Sequence, residues 1–212
     1  MTTAAIVALV VAGLFAVGDW VARATKNTAL EYLCKPATLV ALLATAVALH
    51  PAHHAGARRD WFVVALVCSL VGDVLLMLPT DMFVAGLAAF LVGHLMYVAG
   101  MWAHPPSGIA VTVAALGVAV VVTPVARRIL STLRGRAELG VPVAIYIVVI
   151  SVMLATALAT GNVLAGVGAA LFVASDAMIA WNRFVRPLRA ADLAIMVTYH
   201  LGQAGLVLSL LH

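Results

Sequence analysis

Residues 60–79 read DWFVVALVCSLVGDVLLMLP, and residues 162–182 read NVLAGVGAALFVASDAMIAWN. At 1.5 Å of rise per residue, about 20 apolar residues cross the hydrocarbon core of a bilayer, and both runs reach that length. Each also carries an aspartate well inside the run, Asp73 or Asp176, the first run having Asp60 at its very start as well. An acid near the middle of a membrane helix costs roughly 2.5–3.5 kcal/mol on insertion scales. A Ser or Asn would hold helices together more cheaply, so two such acids point to use rather than to glue.

The rest of the chain agrees with a membrane reading. Of 212 residues, 65% are hydrophobic and 9% charged, whereas a water-soluble domain carries roughly a quarter charged residues. The composition excludes a soluble globular protein and predicts an all-α polytopic membrane bundle. The net charge of +4 comes from arginines in short connections, where they set topology, and is no footprint of nucleic-acid binding. Cys34 and Cys68 have no CxxC spacing and read as small buried apolar residues. Residues 4–22 lack a positive leading segment and are longer than a usual signal core, so they are expected to span rather than to be cleaved.

Eight segments satisfy the length criterion: 4–22, 33–49, 60–79, 82–103, 107–125, 139–158, 162–182 and 190–211. They form one integral membrane domain, 1–212. Turn residues separate them: His50-Pro51, Pro79-Thr80-Asp81, the run from His104 to Gly108, and Thr160-Gly161-Asn162. Lys and Arg concentrate in alternate connections. Arg23 and Lys26 lie in the first, Arg127, Arg128, Arg134 and Arg136 in the fifth, and Arg183, Arg186 and Arg189 in the seventh. The other side has only Arg58 and Arg59. The positive-inside rule then puts the arginine-rich loops in the cytoplasm and both termini outside the cell membrane.

The two halves of the chain look related. Gly72-Asp73 precedes a segment with Gly93-His94-Leu95, and Ser175-Asp176 precedes one with Tyr199-His200-Leu201. The Asp-to-His separations are 21 and 24 residues. An offset of four segments predicts two parallel four-helix repeats, with Asp73 and Asp176 as equivalent positions facing a shared centre.

On these bounds, each aspartate lies about six residues, or roughly 9–10 Å, from the arginine-rich helix end, and Asp19 roughly 6 Å. Lys35 sits near that end too, with His94 and His200 closer to the midplane. This one-sidedness predicts a single cavity opening toward the arginine-rich leaflet. Helical phase puts Ser69, Gly72 and Asp73 on one face. It also pairs His94 with Tyr97, and Gln203 with both Tyr199 and His200, while Tyr146 adds a hydroxyl to the sixth segment. Taken singly, each has an ordinary reading: a packing tyrosine, an interhelical histidine, a snorkelling lysine.

Two buried carboxyls can divide acid and base roles, one protonated and one ionised. No GxSxG, HExxH or Walker-type motif is present, and no His/Asp pair has metal-ligand spacing, so no metal or other cofactor is expected. Embedded acids and parallel repeats also suit a proton-coupled transporter or lipid flippase. Such a path would want polar groups along both halves of the membrane, whereas here they gather in one. A non-catalytic receptor or assembly protein is the third possibility.

Short strings in order along residues 30–205 resemble the YhhN family of membrane proteins. They are Lys35-Pro36 with Thr38, Gly72-Asp73 with Leu76, Gly93-His94 with Tyr97, Ser175-Asp176, and His200 with Gln203. The resemblance implies a lysoplasmalogenase, which hydrolyses the vinyl ether bond of a lysoplasmalogen to a fatty aldehyde and a glycerophospho-base. It also implies Asp73 and Asp176 as the catalytic pair. The expected partners are then a lysophospholipid substrate and the surrounding lipids. Its phosphate would lie near Lys35 or Arg183, with His94, Tyr97, Tyr146, Tyr199, His200 and Gln203 orienting the glycerol or the water.

Overall fold

The computed structural model describes residues 1–49 and 56–211. Among them are eight helices long and apolar enough to span a membrane: α1 (Thr3–Thr25), α2 (Thr28–Ala48), α3 (Gly56–Met77), α4 (Phe83–Trp102), α5 (Gly108–Thr132), α6 (Ala137–Ala159), α7 (Val163–Phe184) and α8 (Ala191–Leu208). A 3₁₀ turn, Ser209–Leu211, follows α8. The protein is a multi-pass membrane bundle. Its lipid-facing surface is built from side chains such as Ile109, Val120 and Val163.

Helix starts follow local chemistry. Thr2, Asn27, Ser107 and Asn162 each accept a hydrogen bond from the backbone N–H three residues on, which satisfies a donor left open by the first turn. Most boundaries shift by a few residues from the sequence expectation, which takes Arg23 into α1, Arg58 and Arg59 into α3 and Arg183 into α7, and two shift further. α5 runs on to Thr132 rather than stopping at 125, so Arg127 and Arg128 belong to its last turns and not to a connection. Long arginine stems allow this, because they carry the charge out to the membrane surface from within a helix. α2 begins at Thr28, which puts Pro36 two turns inside the helix instead of at its start. The His50-Pro51 break lies outside the described residues.

Sequential helices pack as hairpins: α1 on α2, α3 on α4, α5 on α6, α7 on α8. Glycines set the closest of these contacts. Gly86, Gly93 and Gly100 recur every seven residues along one face of α4 and meet Leu76, Ala65 and Phe62 of α3. Gly168 of α7 meets Gly202 and Gly205 of α8, backbone against backbone. Small residues permit such approaches in lipid, where packing rather than hydrophobic expulsion drives association.

Four of the contacts between hairpins pair up across the two halves, while α1 on α8 and α5 on α7 have no counterpart of similar extent. α2 touches α3 as α6 touches α7, and α4 touches α6 as α8 touches α2. Advancing each helix by four positions, and cyclically past the last, maps the first contact of each pair onto the second. The fourth helix of each half thus packs on the second helix of the other.

Candidate functional site

That exchange determines which side chains surround each aspartate. Asp73 of α3 is buried, and its Oδ1 lies 3.1 Å from Nζ of Lys35 on α2. Its Oδ2 accepts a 2.7 Å hydrogen bond from the hydroxyl of Tyr199 on α8. Asp176 of α7 has the corresponding partners. Its Oδ2 accepts from Tyr146 of α6 at 2.5 Å and lies 3.5 Å from Nε2 of His94 on α4. Each acid is therefore held by the second helix of its own half and the fourth helix of the other half.

The partners extend both clusters. Gln203 donates to the Tyr199 hydroxyl at 3.4 Å, and its Oε1 accepts from Tyr97. The Tyr146 hydroxyl lies 2.8 Å from His94 Nε2. Since its proton goes to Asp176, His94 Nε2 is the donor in that contact. Phe172 stands between the clusters, its ring 4.7 Å from that of His94 and 5.2 Å from that of Tyr199. Phe90 packs edge-on against both Phe172 and Tyr199.

The single constellation expected from sequence is thus two clusters. Among the described residues the two carboxyls share no ion or hydrogen-bond partner. Their depths differ as well: Asp73 is four residues from the end of α3, and Asp176 eight from the end of α7. Counting residues from composition alone shifted the two helix ends in opposite directions. His200 joins neither carboxyl; its Nδ1 accepts a 3.2 Å bond from the indole of Trp20 on α1. Asp19 is buried beside Trp20, and its oxygens have no hydrogen-bond partner among the described residues. Arg23, which could have paired with it, bonds Glu31 at 2.9 Å. Ser175 turns away to the Ile195 carbonyl of α8 and serves the hairpin. Cys34 is buried, Cys68 partly so, and both are free thiols.

A pocket opens among the arginine-rich halves of α4, α5, α6 and α7, with Leu76 of α3 at its edge. Phe83, the first residue of α4, and Phe184, the last of α7, line its mouth. Phe90, Val122 and Ile150 line its deeper part. Among the described residues its only titratable lining groups are Tyr146 and Asp176. Asp73, Lys35, His94, Tyr97, Tyr199, His200 and Gln203 do not line it. At the mouth, Arg183 lies 2.7 Å from Asp81, with its guanidinium carbon 4.3 and 5.8 Å from the ring centres of Phe83 and Phe184.

Sequence reasoning missed Trp20, Phe90, Phe172 and the pocket lining. A tryptophan adjoining an embedded acid was the available signal for Trp20. Phenylalanines in apolar helices give none, because their role follows from which helices meet.

Residues 30–210 match the YhhN family. The chain belongs to the YhhN family. Among curated relatives, this YhhN protein is 40% identical over 147 residues to lysoplasmalogenase TMEM86B of Homo sapiens, covering 69% of this chain and 62% of the relative. It is 36% identical over 177 residues to a lysoplasmalogenase of Mycobacterium tuberculosis, covering 77% and 64%. With TMEM86B of Rattus norvegicus the identity is 34% over 179 residues, covering 84% and 71%. The chain thus spans a little under two thirds of the first two relatives' length. No solved structure matches it.

Proposed function

We propose that this YhhN protein is an intramembrane hydrolase of lysoplasmalogen type, cleaving a vinyl ether lysophospholipid with Asp176 as the reacting acid. The observation that carries the reading is Asp176 lining an apolar pocket, its carboxyl bonded by Tyr146, which lines the pocket with it, and approached by His94, which does not. The names of its relatives supply the substrate class.

The reaction needs few parts. In the first step Asp176, carrying a proton, gives it to the alkene carbon β to the ether oxygen, leaving an oxocarbenium-like cation on the carbon bonded to that oxygen. The new carboxylate faces that cation, while the donors Tyr146 and His94 stabilise its charge. Water adds to the cation and returns a proton to Asp176. The hemiacetal then transfers its hydroxyl proton to the glycerol oxygen and collapses to aldehyde and alcohol. Net, one water is consumed and the acid is regenerated. One carboxyl acts first as acid and then as base, so no second carboxyl need face the substrate.

In this reading Asp73 is a positioning residue. Its pairing with Lys35 anchors Tyr199, whose ring braces Phe90 and Phe172 behind the pocket. The arginine-rich end takes the cytoplasmic side by the positive-inside rule. The test is fatty aldehyde release, followed by mass spectrometry, from purified protein in lipid nanodiscs given lysoplasmalogen or its saturated ether analogue. Wild type releases aldehyde from the vinyl ether alone, and Asp176→Asn loses about 10²–10⁴-fold of that rate. Full activity in Asp176→Asn, or no aldehyde from wild type, defeats the proposal.

A further inference from the structure

The mouth of the pocket holds a charge pair that the chemistry above does not use. Asp81 follows the Pro79-Thr80 turn between α3 and α4, and Arg183 lies in the last turn of α7. Arg183 Nη2 donates to Asp81 Oδ2 at 2.7 Å. The guanidinium carbon lies 4.3 Å from the centre of the Phe83 ring and 5.8 Å from that of Phe184, and these two rings meet edge to face at 5.5 Å and line the pocket. Asp81 Oδ1 also accepts from the Phe83 backbone N–H at 3.4 Å. Asp81 therefore bonds to both the cation and the residue beneath it.

Three features mark this pair as more than a surface ion bridge. The guanidinium sits over the Phe83 ring with Phe184 alongside, so its position does not depend on Asp81 alone. It stands where an amphiphile whose chain enters the pocket would leave its polar end. Its present partner is an exposed carboxylate, with 70% side-chain exposure against 38% for Arg183. Such an exposed pair is weak, so a competing anion can displace it. A guanidinium suits a phosphate oxygen pair at least as well as a carboxylate.

We infer that Arg183 is the phosphate-recognition residue for the lysophospholipid headgroup, and that Asp81 is a built-in competitor that the headgroup displaces on binding. The inference rests on the lysophospholipid reading above, but it concerns binding and not bond cleavage. Asp81 then sets specificity: a headgroup phosphate exchanges with it, whereas a glyceryl ether without phosphate has nothing to offer Arg183 and leaves the pair closed.

The experiment is equilibrium binding of a radiolabelled alkyl-ether lysophosphatidylcholine, which has no vinyl ether to cleave, to the purified full chain in nanodiscs. Asp81→Asn removes the competitor and tightens binding about two- to fivefold. Arg183→Gln weakens it by about tenfold or more, and Arg183→Lys falls between. In the Arg183→Gln background, Asp81→Asn has no further effect, which a general loosening of the mouth would not produce. An alkyl glycerol without phosphate binds all four variants alike. Unchanged affinity in Asp81→Asn, an equal gain in the Arg183→Gln background, or no binding by wild type overturns the inference. If binding follows this pattern while no aldehyde forms, the headgroup site stands and the hydrolase reading falls.

Discussion

Lys35 and Asp73 expose only 4% and 2% of their side chains, so each depends on the other for its charge. Removing one partner of a buried ion pair leaves an uncompensated charge and costs about 3–5 kcal/mol, while replacing both with neutral groups is often close to neutral. Lys35→Met or Asp73→Asn alone should therefore lower the thermal midpoint of the detergent-solubilised protein sharply, and the double variant should recover most of it. A double variant as unstable as the worse single one would mean that the charges serve something other than each other. If Asp73 only positions, the double variant also retains measurable aldehyde release, which Asp176→Asn does not. The identities of these residues were legible in the sequence because ionisable groups in apolar runs are expensive and stand out. Their assortment was not: nothing in the string around Lys35 says that its carboxylate is Asp73 rather than Asp19.

Between helices, α7 and α8 meet backbone against backbone. A Cβ on Gly202 would lie 2.9 Å from the Gly168 carbonyl oxygen and 3.0 Å from the Phe172 nitrogen, both backbone atoms. Backbone cannot rotate away as a side chain can, so the helices must separate. That motion carries Tyr199 and Gln203 from Asp73 and Tyr97, because all three α8 residues lie within a turn of one another. Gly202→Ala should cost about 1–3 kcal/mol in thermal stability and reduce activity with it. Gly117→Ala in α5, where a Cβ meets nothing within 4 Å, should be neutral or slightly stabilising, since alanine favours helix by about 1 kcal/mol over glycine. Equal losses in both would show a propensity effect and not a packing one. Element number and type were legible from hydropathy, but the ends were not. The arginine pair in the last turns of α5 reads as a loop in a composition window, although its side chains can reach the membrane surface from within the helix.

Across the whole molecule, the two halves are interlocked at their polar centres. Asp73 from the first half takes Tyr199 from the second, and Asp176 from the second takes His94 from the first. The Asp-to-His spacing had suggested two equivalent halves; the contacts α2 on α3 and α4 on α6 recur as α6 on α7 and α8 on α2, but α1 on α8 and α5 on α7 do not recur, and His200 bonds Trp20 rather than a carboxyl. The spacing held no sign that the fourth helices are traded, because exchange between repeats leaves every local distance along the chain unchanged. It has a physical consequence. Residues 1–104 alone retain the Lys35–Asp73 pair but lose the Tyr199 donor, and they leave His94 without Asp176. Residues 105–212 alone keep Tyr146 on Asp176 but lose His94 and leave Tyr199 without Asp73. Unsatisfied buried polar groups cost several kcal/mol each in lipid, so neither half has a stable interior. Expressed separately, each half should fail to accumulate in membranes or should aggregate on extraction. Expressed together, with a tag on only one half, they should co-purify as a complex, because the connection at 103–107 adds proximity and no part of either cluster. Accumulation of one half as a stable, monodisperse protein would mean that the interlocked centres contribute little to the fold.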